Sequence, residues 1–177
     1  LEKSGKVSYC EPIGHFQERG DYQYSWQPAD CSNTVIVNAQ EAACKMVLDL
    51  GGSGIFGVEF FVDRKGKVIF SELSPRPHDT GMVTMYTQNH SQFDIHARVL
   101  LALPLPEIKL NRPGASHVIL AEKDATGNYT IEGIEKALED KSVDFRIFGK
   151  PFLKSHRRMG LILAETLDKA KIAARKV

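Results

Sequence analysis

Two runs rich in β-branched and aromatic residues decide how the chain folds: Ile55-Phe-Gly-Val-Glu-Phe-Phe-Val62 and Lys67-Val-Ile-Phe-Ser-Glu-Leu73. Four residues, Asp63-Arg-Lys-Gly66, separate the runs, and Gly66 supplies the conformational freedom that a tight turn needs. Paired runs of this kind around a short Gly-containing connection predict a β-hairpin.

The hairpin places two carboxylates opposite each other. With the turn centred after residue 65, Phe61 faces Phe70, and Glu59 faces Glu72 across a gap of about 5 Å. Like charges at that distance repel, and Mg²⁺ bound by one or two carboxylates together with nucleotide phosphates would neutralise them. Alternatively the register slips, or both glutamates face water, and spacing alone leaves these interpretations open.

The segment after the second run is Ser74-Pro-Arg-Pro-His-Asp-Thr-Gly81, which predicts a rigid loop because two prolines bracket an arginine. The proline rings restrict Arg76, which suits a guanidinium directed at a phosphate or carboxylate. His78 and Asp79 add a titratable ring and an acceptor beside the glutamates. Each residue alone fits a solvated turn, but together they indicate a functional site.

A second group of charges lies near the C-terminus. Lys150, Arg157 and Arg158 stand at the two ends of the connection between predicted strands at 144–148 and 159–164. If the strands are adjacent, the three cations form an anion site suited to a phosphate monoester. The alternative is an exposed basic turn that binds nothing.

The rest of the chain is typical of an α+β fold. Residues 5–10 predict a strand and residues 11–28 a polar connection. Asn38 is the predicted N-cap of one helix and Ser91 of another, and the Pro-rich residues 104–114 predict a boundary between two units. Beyond the boundary the pattern predicts strands at 116–121, 144–148 and 159–164 and helices at 131–138 and 167–176.

Composition excludes several classes of protein. The 177 residues carry 23 Lys+Arg against 22 Asp+Glu, a formal charge of +1, so neither a nucleic-acid nor a membrane partner is expected. No apolar run approaches the roughly 20 residues of a membrane span. An odd count of scattered cysteines (Cys10, Cys31 and Cys44) is typical of reduced thiols, and we expect a cytoplasmic protein.

Several long motifs resemble one enzyme family. They are Gly54–Val62, Glu72–Met82, Glu11–Tyr22 with Ser25–Pro28, Phe148–Pro151 and Arg157–Gly160. Together they resemble the C-terminal part of an ATP-grasp enzyme, and specifically the formate-dependent phosphoribosylglycinamide formyltransferases of purine biosynthesis. The resemblance runs through essentially the whole chain.

For the fold, the resemblance implies the C-terminal lobe of an ATP-grasp domain at residues 1–112, with an antiparallel sheet and helices. A small β-rich, barrel-like domain follows at residues 113–177. The family's N-terminal domain and the lobe that covers ATP would precede Leu1, so the chain is expected to be a fragment that is inactive alone. The family also suggests a homodimer.

For the site, the resemblance implies that Glu59 and Glu72 bind Mg²⁺ and, through it, ATP. Arg76 would contact a phosphate or acyl phosphate, and Asp79 would lie near the amine of glycinamide ribonucleotide. Ser74 stands where many relatives have a metal-binding asparagine. The phosphate of the ribonucleotide would be bound by Lys150, Arg157 and Arg158.

The implied reaction has two steps. Formate attacks the γ-phosphate of ATP to give formyl phosphate and ADP, and the ribonucleotide amine then attacks the formyl carbon. A related ATP-grasp carboxylase acting on aminoimidazole ribonucleotide with bicarbonate is the nearest alternative, although it tends to carry Asn-Ser-Gly where this chain has Asp79-Thr-Gly81. The other alternative is a non-catalytic module that acts only through packing in a dimer.

Overall fold

The computed structural model describes residues 1–177 and contains two antiparallel sheets together with one long helix and several short ones. The strands are β1 (Gly14–Glu18), β2 (Asp21–Gln27), β3 (Gly57–Val62), β4 (Val68–Ser74), β5 (Gly114–Leu120), β6 (Asp144–Ile147) and β7 (Arg158–Ala164). The helices are α1 (Asn33–Leu50), a 3-10 helix (Asp79–Val83), α2 (Thr84–Thr87), α3 (Gln92–Leu100), α4 (Ile134–Ala137) and α5 (Leu167–Ala174). These elements confirm the predicted α+β class.

The larger sheet has the strand order β1-β2-β5-β7-β6, and its central strands β5 and β7 pack against helices on both faces. On one face α4 and α5 cover a cluster that includes Ala115, Ile119, Ile162 and Ala170. On the other face the 3-10 helix and α2 supply the apolar side chains that pack against β2, β5 and β7; this cluster comprises Tyr22, Met82, Tyr86, Val118, Leu161 and Leu163. Strand β7 therefore forms the centre of the core.

The predictions for residues 5–10 and 11–28 were wrong. Residues 5–10 form no strand, and the supposed connection is the β1–β2 hairpin, turned at Arg19 and Gly20 with φ of 53° and 83°. Both turn residues are left-handed, which matches the twist of a two-residue hairpin. The hairpin was missed because polar Ser25 and Gln27 occupy buried strand positions, so the apolar alternation is broken.

Helix α1 begins earlier than predicted. The hydroxyl of Ser32 accepts a hydrogen bond from the Val35 amide at 3.4 Å, which makes Ser32 the N-cap and leaves Asn38 inside the helix. The β-branched residues that follow Ser32 hid this start, because they favour a strand. At α3 the prediction is confirmed, since Ser91 and Asp94 form a reciprocal capping box.

The β3–β4 hairpin has the predicted pairing at the end that carries the two glutamates. Glu59 faces Glu72, which is confirmed, but an irregularity between Glu59 and Phe60 places Phe60 rather than Phe61 opposite Phe70. The predicted Phe61–Phe70 pair is therefore wrong by one residue. A β-bulge of this kind inserts one unpaired residue into a strand and bends it locally.

The larger sheet joins residues from both sides of the predicted boundary at 104–114. Strand β2 pairs with β5, with Tyr24 opposite His117 and Gln27 opposite Gly114. The division into 1–112 and 113–177 stays a prediction. No helix combines the length and the apolar composition needed to cross a membrane, and all three cysteines are free thiols.

Candidate functional site

The two opposed glutamates differ in their surroundings. Glu59 is only 7% exposed, accepts a hydrogen bond from Gln17 Nε2 at Oε2 (3.2 Å), and has a buried Oε1 with no hydrogen-bond partner. The side chain of Glu72 is 51% exposed and accepts a hydrogen bond from the Ser74 hydroxyl at 2.8 Å. Two imidazole nitrogens approach this oxygen without making a hydrogen bond to it, so Oε1 keeps its capacity to bind a further group.

The imidazole of His78 lies between the two carboxylates. Its Nδ1 is 3.2 Å from Glu59 Oε1 and its Nε2 is 3.3 Å from Glu72 Oε1. His15 Nδ1 approaches Glu59 Oε1 to 3.4 Å from β1. The ring fits only because residue 57 is glycine: a Cβ there would stand 2.7 Å from the Cβ of His78.

The hydrogen bond from Ser74, followed by that from His78, lowers the pKa of Glu72, and the nearby charge of Arg76 acts in the same direction. Glu72 therefore remains ionised at neutral pH. Two carboxylates paired across the strands supply the oxygen ligands that a hard divalent cation prefers, and the imidazoles of His15 and His78 lie against the buried one. Arg76 itself is exposed, and its Nη1 donates to the Pro77 carbonyl at 2.9 Å.

The predicted cation group is brought together. Arg158 forms an ion pair with Asp79, and burial lowers the pKa of Lys150, with Arg157 and then Arg158 adding to the shift while Asp79 opposes it. Arg157, Arg158 and Asp79 therefore all lie within electrostatic reach of Lys150. Three cations against one carboxylate leave a net positive site that suits an anion.

Two of the cations, Lys150 and Arg157, lie over phenylalanine rings. The guanidinium of Arg157 lies 4.2 Å from the centre of the Phe152 ring and donates to the Phe152 carbonyl at 3.1 Å. Lys150 Nζ lies 5.6 Å from the centre of the Phe148 ring. Contacts of this kind fix long side chains while their charged ends stay available to a ligand.

A closed ring of three buried hydroxyls lies beneath this group. Tyr22 Oη is 3.0 Å from Ser25 Oγ and 2.6 Å from Ser116 Oγ, and the two serine oxygens are 2.9 Å apart. Burial raises the pKa of Tyr22 to about 12, and the charges of Asp79 and Arg158 also affect it, with opposite signs. The ring therefore joins β2 and β5, and Tyr22 lies within electrostatic reach of the Asp79–Arg158 pair.

His78 and Asp79 are consecutive, so one short loop connects the acidic pair to the cation group. Sequence reasoning noted His78 as a titratable ring without giving it a role, and it missed His15 and Gln17. These two side chains occupy alternate positions of β1 and contact the same carboxylate. Had residues 14–18 been predicted as a strand, the alternation of side chains would have placed His15 and Gln17 on the same face.

Comparison with known proteins agrees with the motifs. Residues 2–93 match the family described as ATP-grasp domain, and residues 114–177 match the family described as PurT, C-terminal. A relative from Synechocystis sp., named formate-dependent phosphoribosylglycinamide formyltransferase, is 50% identical over 175 residues, which cover 98% of this chain and 44% of the relative.

Two solved structures are also similar. The N5-carboxyaminoimidazole ribonucleotide synthetase of Thermotoga maritima is 30% identical with a TM-score of 0.78, over 85% of this chain and 44% of that one. The glycinamide-RNase-transformylase T of Mycobacterium tuberculosis is 30% identical with a TM-score of 0.73, over 94% and 44%.

The chain thus spans less than half the length of the relatives that it matches, with 44% of the Synechocystis protein covered. The resemblance predicted from the motifs is confirmed by these relatives and by the two family matches, and the antiparallel sheets agree with the predicted lobe and C-terminal domain. The match at residues 2–93 covers more than half of this 177-residue chain, so the chain belongs to the ATP-grasp family.

Proposed function

We propose that this chain is the C-terminal part of an ATP- and formate-dependent phosphoribosylglycinamide formyltransferase of purine biosynthesis. The observation that carries the proposal is the continuity of the site: His78 touches both glutamates, and Asp79, the next residue, is paired with Arg158. One loop thereby places a candidate metal site beside a candidate phosphate site. Relatives at 50% identity bear this enzyme's name.

Glu59 and Glu72 are the residues proposed to hold Mg²⁺ with the phosphates of ATP. The cross-strand pairing of Glu59 with Glu72 supports the assignment, as does the lowered pKa of Glu72. Bound there, the ion would supply neutralisation of phosphate charge. The Ser74 hydroxyl donates a hydrogen bond to Glu72. Ser74 would therefore orient that carboxylate rather than serve as a third metal ligand.

Lys150, Arg157 and Arg158 are proposed to bind the phosphate of glycinamide ribonucleotide. Desolvation lowers the pKa of Lys150, which indicates that its charge is incompletely compensated without an anion. Asp79 would then orient the substrate amine, because it already lies against Arg158 at the edge of this group. Arg76, exposed beside Glu72, is proposed to contact the γ-phosphate or the acyl phosphate.

In the proposed reaction, a formate oxygen attacks the γ-phosphorus of ATP, ADP leaves, and the ribonucleotide amine attacks the formyl carbon to release phosphate. The site must bring anions that repel each other into line and keep water from a labile mixed anhydride. Arg76 and the three C-terminal cations would offset the negative charge on either side of the reacting carbon. No residue of this chain needs to act as a covalent nucleophile.

ADP release is the experiment that tests the proposal. The intact protein carrying this segment is given magnesium and ATP, either with glycinamide ribonucleotide and formate or with aminoimidazole ribonucleotide and bicarbonate. Formate-dependent release of ADP with a formylated product is expected. Dependence on bicarbonate and aminoimidazole ribonucleotide would instead favour the carboxylase, a reaction class suggested by the name of the Thermotoga relative.

We further propose that the protein is a cytoplasmic homodimer in which residues 1–112 and 113–177 are separate units of sequence. The two family matches, which end at residue 93 and begin at residue 114, support that division. The free thiols are typical of a reducing compartment. Because the chain covers only 44% of the Synechocystis relative, we propose that the 177 residues by themselves do not turn over ATP. A fragment that acts only by packing would show no rise in melting temperature with magnesium and ribonucleotide, in the chain or in the intact protein.

A further inference from the structure

Gln92 occupies an unusual place for a polar side chain. It is the first residue of α3, where side chains commonly face water, yet it is only 8% exposed. Its backbone amide donates to the Thr84 hydroxyl at 2.9 Å, which ties the start of α3 to α2. The side chain is therefore directed inward, toward the loop that carries His78.

The amide of Gln92 holds the backbone of His78 at both of its polar groups. His78 N–H donates to Gln92 Oε1 at 3.0 Å, and Gln92 Nε2 donates to the His78 carbonyl at 2.8 Å. Only an amide side chain offers one donor and one acceptor in this arrangement. Gly81 completes the fit, because a Cβ at that residue would stand 2.3 Å from Gln92 Oε1.

The residue held in this way is the one that joins the two halves of the site. Fixing the His78 backbone fixes the ring between Glu59 and Glu72, and it also fixes the position of Asp79 against Arg158. Sites of this kind need supporting side chains whose own positions are locked by burial and hydrogen bonds. Gln92 meets that requirement and touches none of the charged groups by a hydrogen bond.

We propose that Gln92 is a positioning residue that sets the spacing between the acidic pair and the cation group through the backbone of His78. The kinetic effect expected of losing Gln92 rests on the proposed function, whereas the effect expected on the His78 loop rests on geometry alone. Displacing this loop moves the two substrates relative to each other, and a misplacement of about 1 Å can lower the rate about 100-fold.

The test uses the intact protein with Gln92→Met, which keeps the length of the side chain and removes both hydrogen bonds. Hydrogen exchange of the backbone amides of residues 78–81 is expected to rise, and kcat/KM for the ribonucleotide to fall about 10-fold to 100-fold. Gln92→Glu provides a second variant in case the first does not fold. It keeps an acceptor for the amide but faces the His78 carbonyl with a carboxylate, so both changes are expected again.

Ser91→Ala is the matched control, because it breaks the capping box of the same helix without touching His78. It is expected to lower the melting temperature while leaving exchange at residues 78–81 and both KM values at wild-type levels. Wild-type exchange in Gln92→Met, or an equal kinetic loss in Ser91→Ala, would overturn the proposal. If the wild-type protein lacks formate-dependent turnover, the proposed function fails, and the exchange measurement still decides whether Gln92 fixes the loop.

Discussion

Glu59 and Glu72 face each other in the β3–β4 ladder but meet different environments. Glu59 is enclosed by side chains from β1 and by His78, whereas Glu72 is half exposed and has its pKa lowered, chiefly by the hydrogen bond from Ser74. The buried carboxylate is held in place, and the exposed one is reached from solvent. The proposed metal site therefore combines one enclosed carboxylate, Glu59, with one that is open to solvent, Glu72.

Loss of the Glu72 charge is the first prediction. Glu72→Gln in the intact protein keeps the size of the side chain but removes one of two proposed metal carboxylates, and ATP turnover should fall at least about 100-fold, since even indirect partners of metal ligands cost about 10-fold to 100-fold. The measurement is ADP release at saturating substrates. Glu41→Gln, on the exposed side of α1, is the control, and wild-type turnover in Glu72→Gln would remove Glu72 from the metal site.

Arg158 leads to a second prediction that separates the two substrates. Arg158→Ala removes a charged donor from the proposed phosphate site and leaves Asp79 without its partner. The KM for glycinamide ribonucleotide should rise about 10-fold to 100-fold, the usual cost of a hydrogen bond to a charged group, while the KM for ATP changes far less. Arg175→Ala, at the exposed end of α5, is the control. Equal changes in both KM values would contradict the assignment.

Among the elements, the β6–β7 pair determines whether the cation group exists. Lys150 follows β6 and Arg157 precedes β7, so the distance between them depends on the pairing of the two strands. Gly160 lies opposite Ile147 in that ladder, and a Cβ at residue 160 would stand 2.4 Å from the Arg146 carbonyl oxygen. Close approach of the two backbones therefore requires glycine at residue 160.

A third prediction follows from that contact. Gly160→Ala should push β6 away from β7, lower the free energy of unfolding by about 1–3 kcal/mol, and weaken the binding of inorganic phosphate by separating Lys150 from Arg157. Thermal unfolding and a phosphate titration measure the two effects. Gly54→Ala is the matched control, because a Cβ there meets nothing closer than 3.8 Å. The prediction fails if both variants behave alike.

The elements that the sequence predicted well are those with local signals. The β3–β4 hairpin carries its own turn and alternation, and the capping box of α3 is readable from Ser91 and Asp94. The β1–β2 hairpin was not readable, because its buried polar residues are satisfied by distant partners: Ser25 by Ser116, and Gln27 by Thr87. Such contacts come from tertiary structure and leave no periodic pattern in the sequence.

The site shows the same division between local and distant information. The opposition of Glu59 and Glu72 followed from strand geometry, and the cation group followed from the length of one connection. The positions of His15, Gln17 and Gln92 around this loop depend on how separate elements pack. No spacing within the sequence indicates them, so they could not be predicted from the chain alone.

At the scale of the whole molecule, the five-stranded sheet unites both ends of the sequence. Strands β1 and β2 come from the first 27 residues, and β2 pairs with β5, which begins at residue 114. The ring of hydroxyls and the packing of Trp26 against the core under α5 both cross this junction. The cation group therefore rests on a sheet whose stability depends on the N-terminal hairpin.

The fourth prediction is that residues 113–177 expressed alone do not unfold cooperatively. Without β2, the edge of β5 is open, the Ser116 hydroxyl loses both of its partners, and Trp26 is missing from the core. A segment of this size has little core to spare. Thermal unfolding followed by circular dichroism measures this, with the 177-residue chain as the control. A sharp transition close to that of the control would mean that the segment folds independently.

The pairing of β2 with β5 also means that β2 is synthesised well before its partner strand. Tyr24 pairs with His117, which is synthesised 93 residues later. At a translation rate of about 5–20 residues per second, the two are separated by roughly 5–20 s on the ribosome. During that interval the nascent β1–β2 hairpin presents a row of unsatisfied amides and carbonyls to its surroundings. Synonymous codons that slow translation between residues 28 and 113 would lengthen this exposure and favour association between neighbouring nascent chains, without changing a single amino acid.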